Sequence, residues 1–342
     1  MPSLPQLSLA PMQDVSVLAL WRCLERRGGP DFYVTEYFRV HRDSQPEKKI
    51  LRSIRKMSDA KPVIAQMIGN DPEHLVRTAQ LIQEQSDCAG IDVNLGCPAP
   101  KVCGKAAGGA LLKNHDLIRE IALSLRPVVN GSLTLKTRVG FETEGEMEEL
   151  LTLFSSLPID GLSIHGRTVR ERYQSAVHVD CIARAVETLP FPVSANGSIV
   201  SVKTALTMQQ QTGAAGLMIG RGGIRNPWLF SRIRSAMSGR VSLQPTLKDV
   251  QNYIEELTEE VAAEGDFADD TQLANRMKKF ANYIAIGIAD GELVHQLRRT
   301  RHIDDFLRIS QAYLDSDQPF PEEPEEDGKL FCGAGELLAG GA

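Results

Sequence analysis

One pattern repeats along residues 7–237 and limits the possible folds more than any other feature. A short apolar run rich in β-branched residues ends in a polar or glycine-containing turn, and a segment with helical periodicity follows. Strands that alternate with helices in this way form a parallel sheet. The runs that we interpret as strands lie at residues 7–10, 32–36, 63–67, 91–94, 133–137, 161–165, 193–196 and 216–219.

The number of these units distinguishes between two α/β architectures. Eight strand–helix units match a (β/α)8 barrel, which has about 250 residues. An open doubly wound sheet is the alternative, but such sheets rarely need eight consecutive equal units. We therefore predict an α/β TIM barrel over residues 1–243, with helices that include residues 74–85, 117–125, 147–156 and 202–211.

The sequence changes character after the barrel. The strand signal stops, and helical periodicity predicts an all-helical domain over residues 244–315, with helices at 247–262, 272–288 and 302–314. Residues 316–342 are rich in Pro, Glu and Gly and offer little apolar surface to bury. We therefore predict that this acidic tail is disordered.

Charge is distributed unevenly along the chain. The formal net charge of −6 by itself argues against a nucleic-acid partner. However, the acidic residues concentrate in residues 255–270 and in the tail, whereas the barrel region and residues 271–314 carry an excess of Lys and Arg. The charge of these segments is therefore compatible with a polyanionic partner.

The sequence shows no sign of export, of membrane insertion or of a metal site. No apolar run approaches the roughly 20 residues that a membrane-spanning helix needs, and residues 1–12 lack the basic and apolar regions of a signal peptide. The six cysteines are scattered, without the paired spacing of a zinc site. We expect a cytoplasmic protein with reduced thiols, no metal and no membrane partner.

The residues that follow the predicted strands indicate where chemistry takes place, because the catalytic residues of a barrel lie at the carboxyl ends of its strands. Polar, charged or glycine-turn elements follow all eight predicted strands. In chain order they are residues 11–13, Glu36, Gln66, Asn94 with Cys97, Lys136 with Arg138, His165, residues 196–198 and residues 220–222.

The turns after strands seven and eight suit an anionic ligand. Residues 196–198 and 220–222 contain glycines that let the backbone approach a ligand closely. Loops at these two positions of a barrel, with a helix N-terminus behind them, form a recurrent phosphate site. Arg221 adds a guanidinium group suited to phosphate.

Three further strand ends suit an anionic aromatic cofactor. Lys136 and His165 end consecutive strands, so we expect both in the barrel mouth. Lys136 could lie beside an electron-accepting ring or a ribityl hydroxyl, and His165 could face a phosphate. Gln66 could hydrogen-bond the edge of an isoalloxazine ring.

Cys97 differs from the other cysteines because it lies in the turn after strand four, over the barrel mouth. A thiol there could be a nucleophile, a metal ligand or a proton donor. Metal binding is disfavoured because the nearest cysteine is Cys103 and no histidine follows at ligand spacing. A nucleophile would usually need an adjacent base. Proton donation fits best, since a thiol with an ordinary pKa is protonated at neutral pH.

Taken together, these segments resemble the flavin-dependent tRNA-dihydrouridine synthases. Residues 35–40 and 173–180 are most similar to the bacterial branch associated with uridine 16 of the D-loop. The pattern differs at Ser198, where the family more often has an acid, and in residues 173–181, which lack the usual Gly and Trp. The matching segments, in family order, are APM at 10–12, NLGCPAPKV at 94–102, KTRVG at 136–140, HGRT at 165–168, NG at 196–197, IGRG at 219–222 and NPW at 226–228.

The resemblance implies a two-stage reaction. NADPH, or NADH, reduces bound FMN, the flavin delivers hydride to C6 of a tRNA uridine, and Cys97 donates a proton to C5. We expect the chain to act as a monomer. The FMN contacts that the resemblance implies are Pro11, Met12, Gln13, Gln66, Lys136, His165, Asn196, Gly197, Ser198, Gly220 and Arg221.

The resemblance also implies contacts with RNA. The target base must leave the stack of the folded tRNA, because its C5–C6 bond is otherwise out of reach. Asn94 and Tyr173 match positions that hold this base or neighbouring RNA, and Glu36 matches a base-contacting position. A tRNA substrate would also give the basic clusters of the helical domain phosphates to bind. These clusters are Arg276, Lys278 and Lys279, and Arg298, Arg299 and Arg301.

Two other functions share part of this pattern. A dihydroorotate dehydrogenase-like FMN barrel, acting on a free pyrimidine, would have the phosphate turns and Lys136 but would not need a basic helical domain. A non-catalytic tRNA-binding protein on an inactive barrel would be colourless. The presence of Cys97, Lys136 and His165 argues against this second alternative.

Overall fold

Parallel strands form a barrel in the computed structural model, which describes residues 4–242, 244–265, 267–324, 330–331 and 333–339. All the paired strands of the sheet run parallel. In chain order they are β1 (Gln6–Leu9), β2 (Phe32–Val34), β3 (Phe38–Arg39), β4 (Val63–Ile68), β5 (Gly90–Asn94), β6 (Ser132–Arg138), β7 (Gly161–His165), β8 (Val193–Asn196) and β9 (Gly216–Ile219).

The sheet closes on itself through β2. One edge of β2 pairs with β1, which in turn pairs with β9, and the other edge pairs with β4. β3 pairs with a later part of β4, where Phe38 lies opposite Met67. β2 and β3 therefore act as one interrupted barrel strand, and the predicted (β/α)8 fold is confirmed. The strand predicted over residues 32–36 instead stops at Val34.

The barrel strands are buried on both faces. Every residue of β4, β5 and β9 is buried, because helices cover the outside of a parallel barrel while side chains fill its interior. Such strands have continuous apolar sequences, which explains why the apolar runs predicted their positions.

The helices of the barrel follow the strands, and three of them begin at a capping Asp, Asn or Ser side chain. At the start of α3, Asp71 Oδ1 accepts a hydrogen bond from the His74 N–H at 2.9 Å, and Pro72 occupies the first helical position. These helices are α1 (Leu18–Glu25), α2 (Lys48–Met57), α3 (Pro72–Gln85), α4 (Pro100–Cys103), α5 (His115–Leu125), α6 (Met147–Ser155), α7 (Val179–Thr188), α8 (Val202–Thr212), α9 (Arg221–Arg225) and α10 (Leu229–Met237).

The helical region after the barrel contains α11 (Leu247–Glu264), α12 (Asp270–Ile284), α13 (Glu292–Arg299) and α14 (Ile303–Leu314). The helix predicted over 272–288 ends at Ile284, and the sequence did not predict α13. α11 packs against α1, and α12 packs against α9. Within the described ranges, no helix is both long and apolar enough to cross a bilayer.

Ion pairs join α1 of the barrel to α11 of the helical region. Arg26 and Arg27 both pair with Glu256, and the Arg27 Nη2–Glu256 Oε2 distance is 2.6 Å. Arg22 and Arg26 pair with Glu260 at 2.9 and 2.5 Å. Part of the acidic run at 255–270 is therefore paired with barrel arginines.

The described part of the tail differs from the predicted disorder. Phe320 and Phe331 are each 1% exposed and Leu337 is 3% exposed. Helix α15 (Ala334–Ala339) packs against α8. The prediction of disorder was wrong for residues 316–324, 330–331 and 333–339, because a few widely spaced apolar side chains bury against the barrel despite the acidic composition. The other tail residues lie outside the described ranges.

Candidate active site

The carboxyl ends of the barrel strands surround a cavity of about 400 Å³, within the size range of small-molecule sites, about 300–1,000 Å³. Cys97 and Asn94, predicted from their positions after a strand, line it, and so does Tyr173, which the family resemblance indicated. All the residues predicted to contact the cofactor, except Gln66, also line this cavity: Pro11, Met12, Gln13, Lys136, His165, Asn196, Gly197, Ser198, Gly220 and Arg221.

The turn after β8 has a backbone that favours glycine. Gly197 has a φ of +125°, and a Cβ there would lie 2.7 Å from Val177 Cγ1, so a larger residue would be strained and crowded. Ser198 also has a positive φ, +52°. Its hydroxyl accepts a hydrogen bond from Arg167 Nη2 at 2.9 Å. Arg167 therefore holds this turn against the cavity.

Lys136 is fixed at the cavity wall by a short chain of hydrogen bonds. Its Nζ donates to Asn196 Oδ1 at 3.0 Å, and Asn196 Nδ2 donates to the Met218 carbonyl at 2.7 Å. Burial and then the neighbouring Arg138 lower the pKa of Lys136 to about 8, while Asp92 opposes the shift. A lysine in this state keeps its proton at neutral pH and favours an anionic neighbour.

His165 is buried in the cavity wall, and its hydrogen bonding is incomplete. Among the described residues, its Nδ1 has no hydrogen-bond partner. Burial lowers the pKa of His165 well below its ordinary value, and the nearby cations Arg138 and Lys136 lower it further. Buried polar atoms normally have partners. A neutral imidazole nitrogen without a partner, among cations, is therefore a site for a ligand group such as a phosphate or hydroxyl.

The turn that carries Cys97 is built by Asn94. Asn94 Oδ1 accepts hydrogen bonds from the backbone N–H groups of Gly96 and Cys97, at 3.1 and 2.8 Å. Asn94 therefore lines the cavity while holding the thiol turn, and its predicted contact with RNA stays a prediction. Burial raises the pKa of Cys97, which keeps the thiol protonated at neutral pH.

Tyr37 also lines the cavity, and it was not among the predicted site residues. Burial has the largest effect on the pKa of Cys97, and hydrogen bonds from the Ala99 N–H and the Tyr37 hydroxyl oppose the rise that it causes. The guanidinium of Arg39 lies 5.7 Å from the centre of the Tyr37 ring. Tyr37 lies in the interruption between β2 and β3, which the apolar pattern did not reveal.

Arg138 connects the thiol turn to the loop after β7. It was noted at a strand end but was not predicted to be a site residue. Its Nε donates to the Gly96 carbonyl at 2.8 Å, and its Nη1 donates to the carbonyls of Thr168 and Arg172 at 2.8 and 2.7 Å. Its guanidinium carbon lies 5.0 Å from the Tyr173 ring centre. Arg138 therefore fixes Tyr173 relative to Cys97.

Gln66 is not among the residues that line the cavity, and its contact with the cofactor stays a prediction. Its Nε2 donates to Asp92 Oδ2 at 2.8 Å, and its Oε1 accepts from Asn94 Nδ2 at 2.9 Å. β4 continues to Ile68, so Gln66 lies inside the strand rather than at its end. Its observed role is to support Asn94.

Glu36 also lies outside the cavity lining. Its Oε1 is buried and has no hydrogen-bond partner among the described residues. Burial raises the pKa of Glu36 to about 7, against the effect of a hydrogen bond from the Asp14 backbone. Tyr173, in contrast, is 42% exposed and contacts His165 edge-on, with ring centres 5.8 Å apart.

The basic residues of α12 border the cavity mouth. Lys279 Nζ pairs with Asp14 Oδ2 at 3.0 Å, in the loop that carries residues 11–13. Tyr283, one turn later on α12, lines the cavity. Lys278 Nζ donates to Asn275 Oδ1 at 3.0 Å. The first basic cluster is therefore next to the mouth, and Tyr283 is a site residue that sequence reasoning missed.

Two other basic residues, one on α12 and one on α13, lie near this cluster. Arg276 lies with its guanidinium carbon 5.5 Å from the Phe280 ring centre. Arg298 of α13 donates from Nε to Asn282 Oδ1 at 2.7 Å, so the second basic cluster is beside the first. Across the described ranges, no group of three His, Cys, Asp or Glu side chains could hold a metal ion.

Comparison with known proteins finds one family over most of the chain. A family model described as "Dihydrouridine synthase (Dus)" matches residues 8–314. A "tRNA-dihydrouridine(16) synthase" of Cupriavidus necator is 33% identical over 270 residues, covering 75% of this chain and 83% of the relative. A "tRNA-dihydrouridine synthase B" of Xanthomonas axonopodis pv. citri is 30% identical over 252 residues, covering 73% of this chain and 75% of the relative.

Solved structures support the fold alone. Histamine dehydrogenase from Rhizobium sp. 4-9 superposes with a TM-score of 0.55 at 14% identity, covering 92% of this chain and 63% of that chain. A 2-naphthoyl-CoA reductase superposes with a TM-score of 0.51 at 11% identity, covering 94% of this chain and 69% of that chain.

Proposed function

This chain belongs to the dihydrouridine synthase family, and we propose that it reduces the C5–C6 bond of uridine 16 in the tRNA D-loop, using FMN, NADPH and Cys97. Its activity is that of a flavin-dependent oxidoreductase that acts on tRNA uridine. The family match favours this function over the dihydroorotate dehydrogenase-like alternative. One observation carries the finer proposal: the Cys97 thiol shares a cavity with Lys136, His165 and Arg221.

The cavity residues fit FMN. The His165 Nδ1 without a partner among the described residues, the tight Gly197 turn and the cations Lys136 and Arg221 suit an anionic aromatic cofactor. In this proposal His165, Arg221 and the turn at 196–198 hold the phosphate end, and Lys136 lies beside the ring. When bound, FMN accepts electrons from NADPH and supplies hydride to C6 of the uracil.

Cys97 supplies the matching proton. Addition of hydride at C6 and of the thiol proton at C5 converts the double bond to a single bond and leaves Cys97 as a thiolate. The Tyr37 hydroxyl, which shares the cavity with this thiol and lowers its pKa, stabilises the thiolate. Solvent then returns the proton to Cys97.

The mouth residues suit a flipped-out base and its flanking RNA. Tyr173 is the aromatic side chain exposed at the mouth, and an exposed ring can stack on a base. Lys278 and Lys279 at the rim, with Arg276 and Arg298 beside them, would bind phosphates. We propose a single cytoplasmic chain as the active form.

Mapping dihydrouridine in the tRNA of a strain that lacks this gene tests the proposed function. We expect dihydrouridine to disappear at position 16 and to return when the wild-type gene is restored. Loss at another position would contradict the assignment of uridine 16 and leave the activity standing. Unchanged dihydrouridine at every position would contradict the function itself.

Replacing Tyr37 with Phe tests the stabilisation of the thiolate. Loss of one hydrogen bond should lower the rate of dihydrouridine formation by about 2–10-fold, while NADPH still reduces the flavin at the wild-type rate. Single-turnover reaction with tRNA and rapid-mixing reduction measure the two steps separately. Tyr313→Phe on α14, where the hydroxyl contacts Gln296, is the matched control. An unchanged rate with tRNA would rule out this role.

A further inference from the structure

The tail residues that the structure describes reach the cavity. We propose that residues 330–331 and 333–339, here called the C-terminal strap, hold Arg221 in position and thereby complete the phosphate-binding end of the cofactor site. This inference rests on the proposed binding of FMN. Arg221 is the residue that would contact the phosphate, and the strap acts through it.

The first observation is that the strap contacts Arg221 directly. Leu330 lines the cavity, and its carbonyl oxygen accepts a hydrogen bond from Arg221 Nη1. The guanidinium carbon of Arg221 lies 5.8 Å from the Phe331 ring centre and 5.2 Å from the Tyr173 ring centre. Contacts with two rings and one carbonyl restrict the orientation of the guanidinium.

The second observation is that the strap is anchored beside the phosphate turn. The Phe331 side chain is 1% exposed and packs in one cluster with Val200 and Tyr283, both of which line the cavity. Helix α15 continues from there along α8, and its Leu337 is buried. The strap is therefore part of the packed structure at this end of the barrel.

The third observation is that acidic residues preceding the strap bind the start of α8. Glu322 Oε1 accepts a hydrogen bond from the Val202 N–H at 3.2 Å, and Glu323 Oε1 accepts one from Ser201 Oγ at 3.2 Å. Glu322 also pairs with Arg232 at 2.5 Å. Carboxylates are favourable at a helix N-terminus such as that of α8. These acids therefore tether the tail to the barrel.

Gly333 of the strap lies close to Arg167 and Ser175 in the loop after β7. Its φ is +79°, and a Cβ at this position would lie 2.7 Å from both Arg167 Nη2 and the Ser175 carbonyl oxygen. Arg167 Nη2 also donates to Ser198 in the phosphate turn. A Gly333→Ala substitution should therefore displace the strap without altering the barrel core.

The test compares binding of FMN and of riboflavin, which lacks the phosphate. Full-length apoprotein, a chain that ends at Pro324 and the Gly333→Ala variant are titrated with each flavin while flavin fluorescence is followed. We expect both variants to bind FMN at least about tenfold more weakly, the effect of one charge-assisted hydrogen bond, and to bind riboflavin as the full-length chain does. Glu336→Gln, at an exposed position of α15, is the control and should behave as wild type.

The outcomes separate the inference from the proposed function. If the full-length chain binds neither flavin, the proposed function is wrong and the inference falls with it. If it binds FMN and Gly333→Ala binds FMN equally well, the strap has no role in the site. Equal weakening for FMN and riboflavin also overturns the proposal, because it shows general destabilisation. If the shortened chain does not fold, as judged by thermal unfolding, Gly333→Ala decides alone.

Discussion

Replacing Cys97 with Ala is expected to lower turnover on tRNA by about 10²–10⁴-fold, the range for loss of a positioned general acid. The methyl group cannot donate the proton that C5 requires. Flavin content and the rate of flavin reduction by NADPH should stay unchanged, because among the residues that the structure describes the Cys97 side chain makes no hydrogen bond to those predicted to hold the cofactor. Dihydrouridine formation, flavin absorption and rapid-mixing reduction measure these three properties.

A second cysteine provides the control for this experiment. Cys88 is half-buried, and it does not line the cavity. Cys88→Ala should therefore keep wild-type turnover. Full turnover in the Cys97→Ala variant would contradict the role of Cys97 as proton donor, whatever the control shows.

The second large effect that we expect is weaker tRNA binding by the double variant Lys278→Glu with Lys279→Glu. Reversing two charges at the cavity rim should weaken tRNA binding by about 10–100-fold at physiological salt. The slope of log affinity against log salt should become shallower by about 1.4–1.8, because two phosphate contacts are lost. Filter binding or fluorescence anisotropy across a salt series measures both quantities, and flavin absorption should not change.

A double variant with the same charge change is the control. Lys56 lies near the C-terminus of α2, and Lys61 precedes β4. Both therefore lie at the amino ends of the strands, away from the mouth. Lys56→Glu with Lys61→Glu should bind tRNA almost as tightly as wild type. Equal losses in the two double variants would mean that overall charge, rather than a rim contact, determines affinity.

The sequence predicted the barrel well because its strands are buried on both faces. Residues 161–165, 193–196 and 216–219 were predicted with the bounds that the structure shows. The break between β2 and β3, residues 35–37, was missed because Tyr37 within it and Phe38 directly after it favour strand structure. An interruption of this kind depends on the neighbouring strands, which local sequence does not reveal.

The site was predictable where it lies at strand ends. A position at the end of a strand predicts that a side chain lies at the mouth. It does not show whether another side chain already forms hydrogen bonds with its polar groups. Gln66 illustrates the limit, since Asp92 and Asn94 use its amide. Tyr283 and Leu330 come from segments distant in sequence, and no local pattern connects them to the barrel.

The tail was mispredicted because composition averages over residues with different roles. Phe320 and Phe331 are buried although acidic and glycine residues surround them in sequence. Their partners, Arg225 for Phe320 and Val200 for Phe331, lie about a hundred residues earlier in the chain. Long-range contacts of this kind outweigh the low local hydrophobicity.

The ion pairs between α1 and α11 have a geometric consequence for substrate choice. Because the arginines of α1 hold the glutamates of α11, the basic rim of α12 keeps a constant separation from the barrel cavity. If the RNA backbone binds this rim as proposed, the nucleotide at the matching distance along the RNA is the one that reaches Cys97. Target position would in this way be measured by length as well as read from the base.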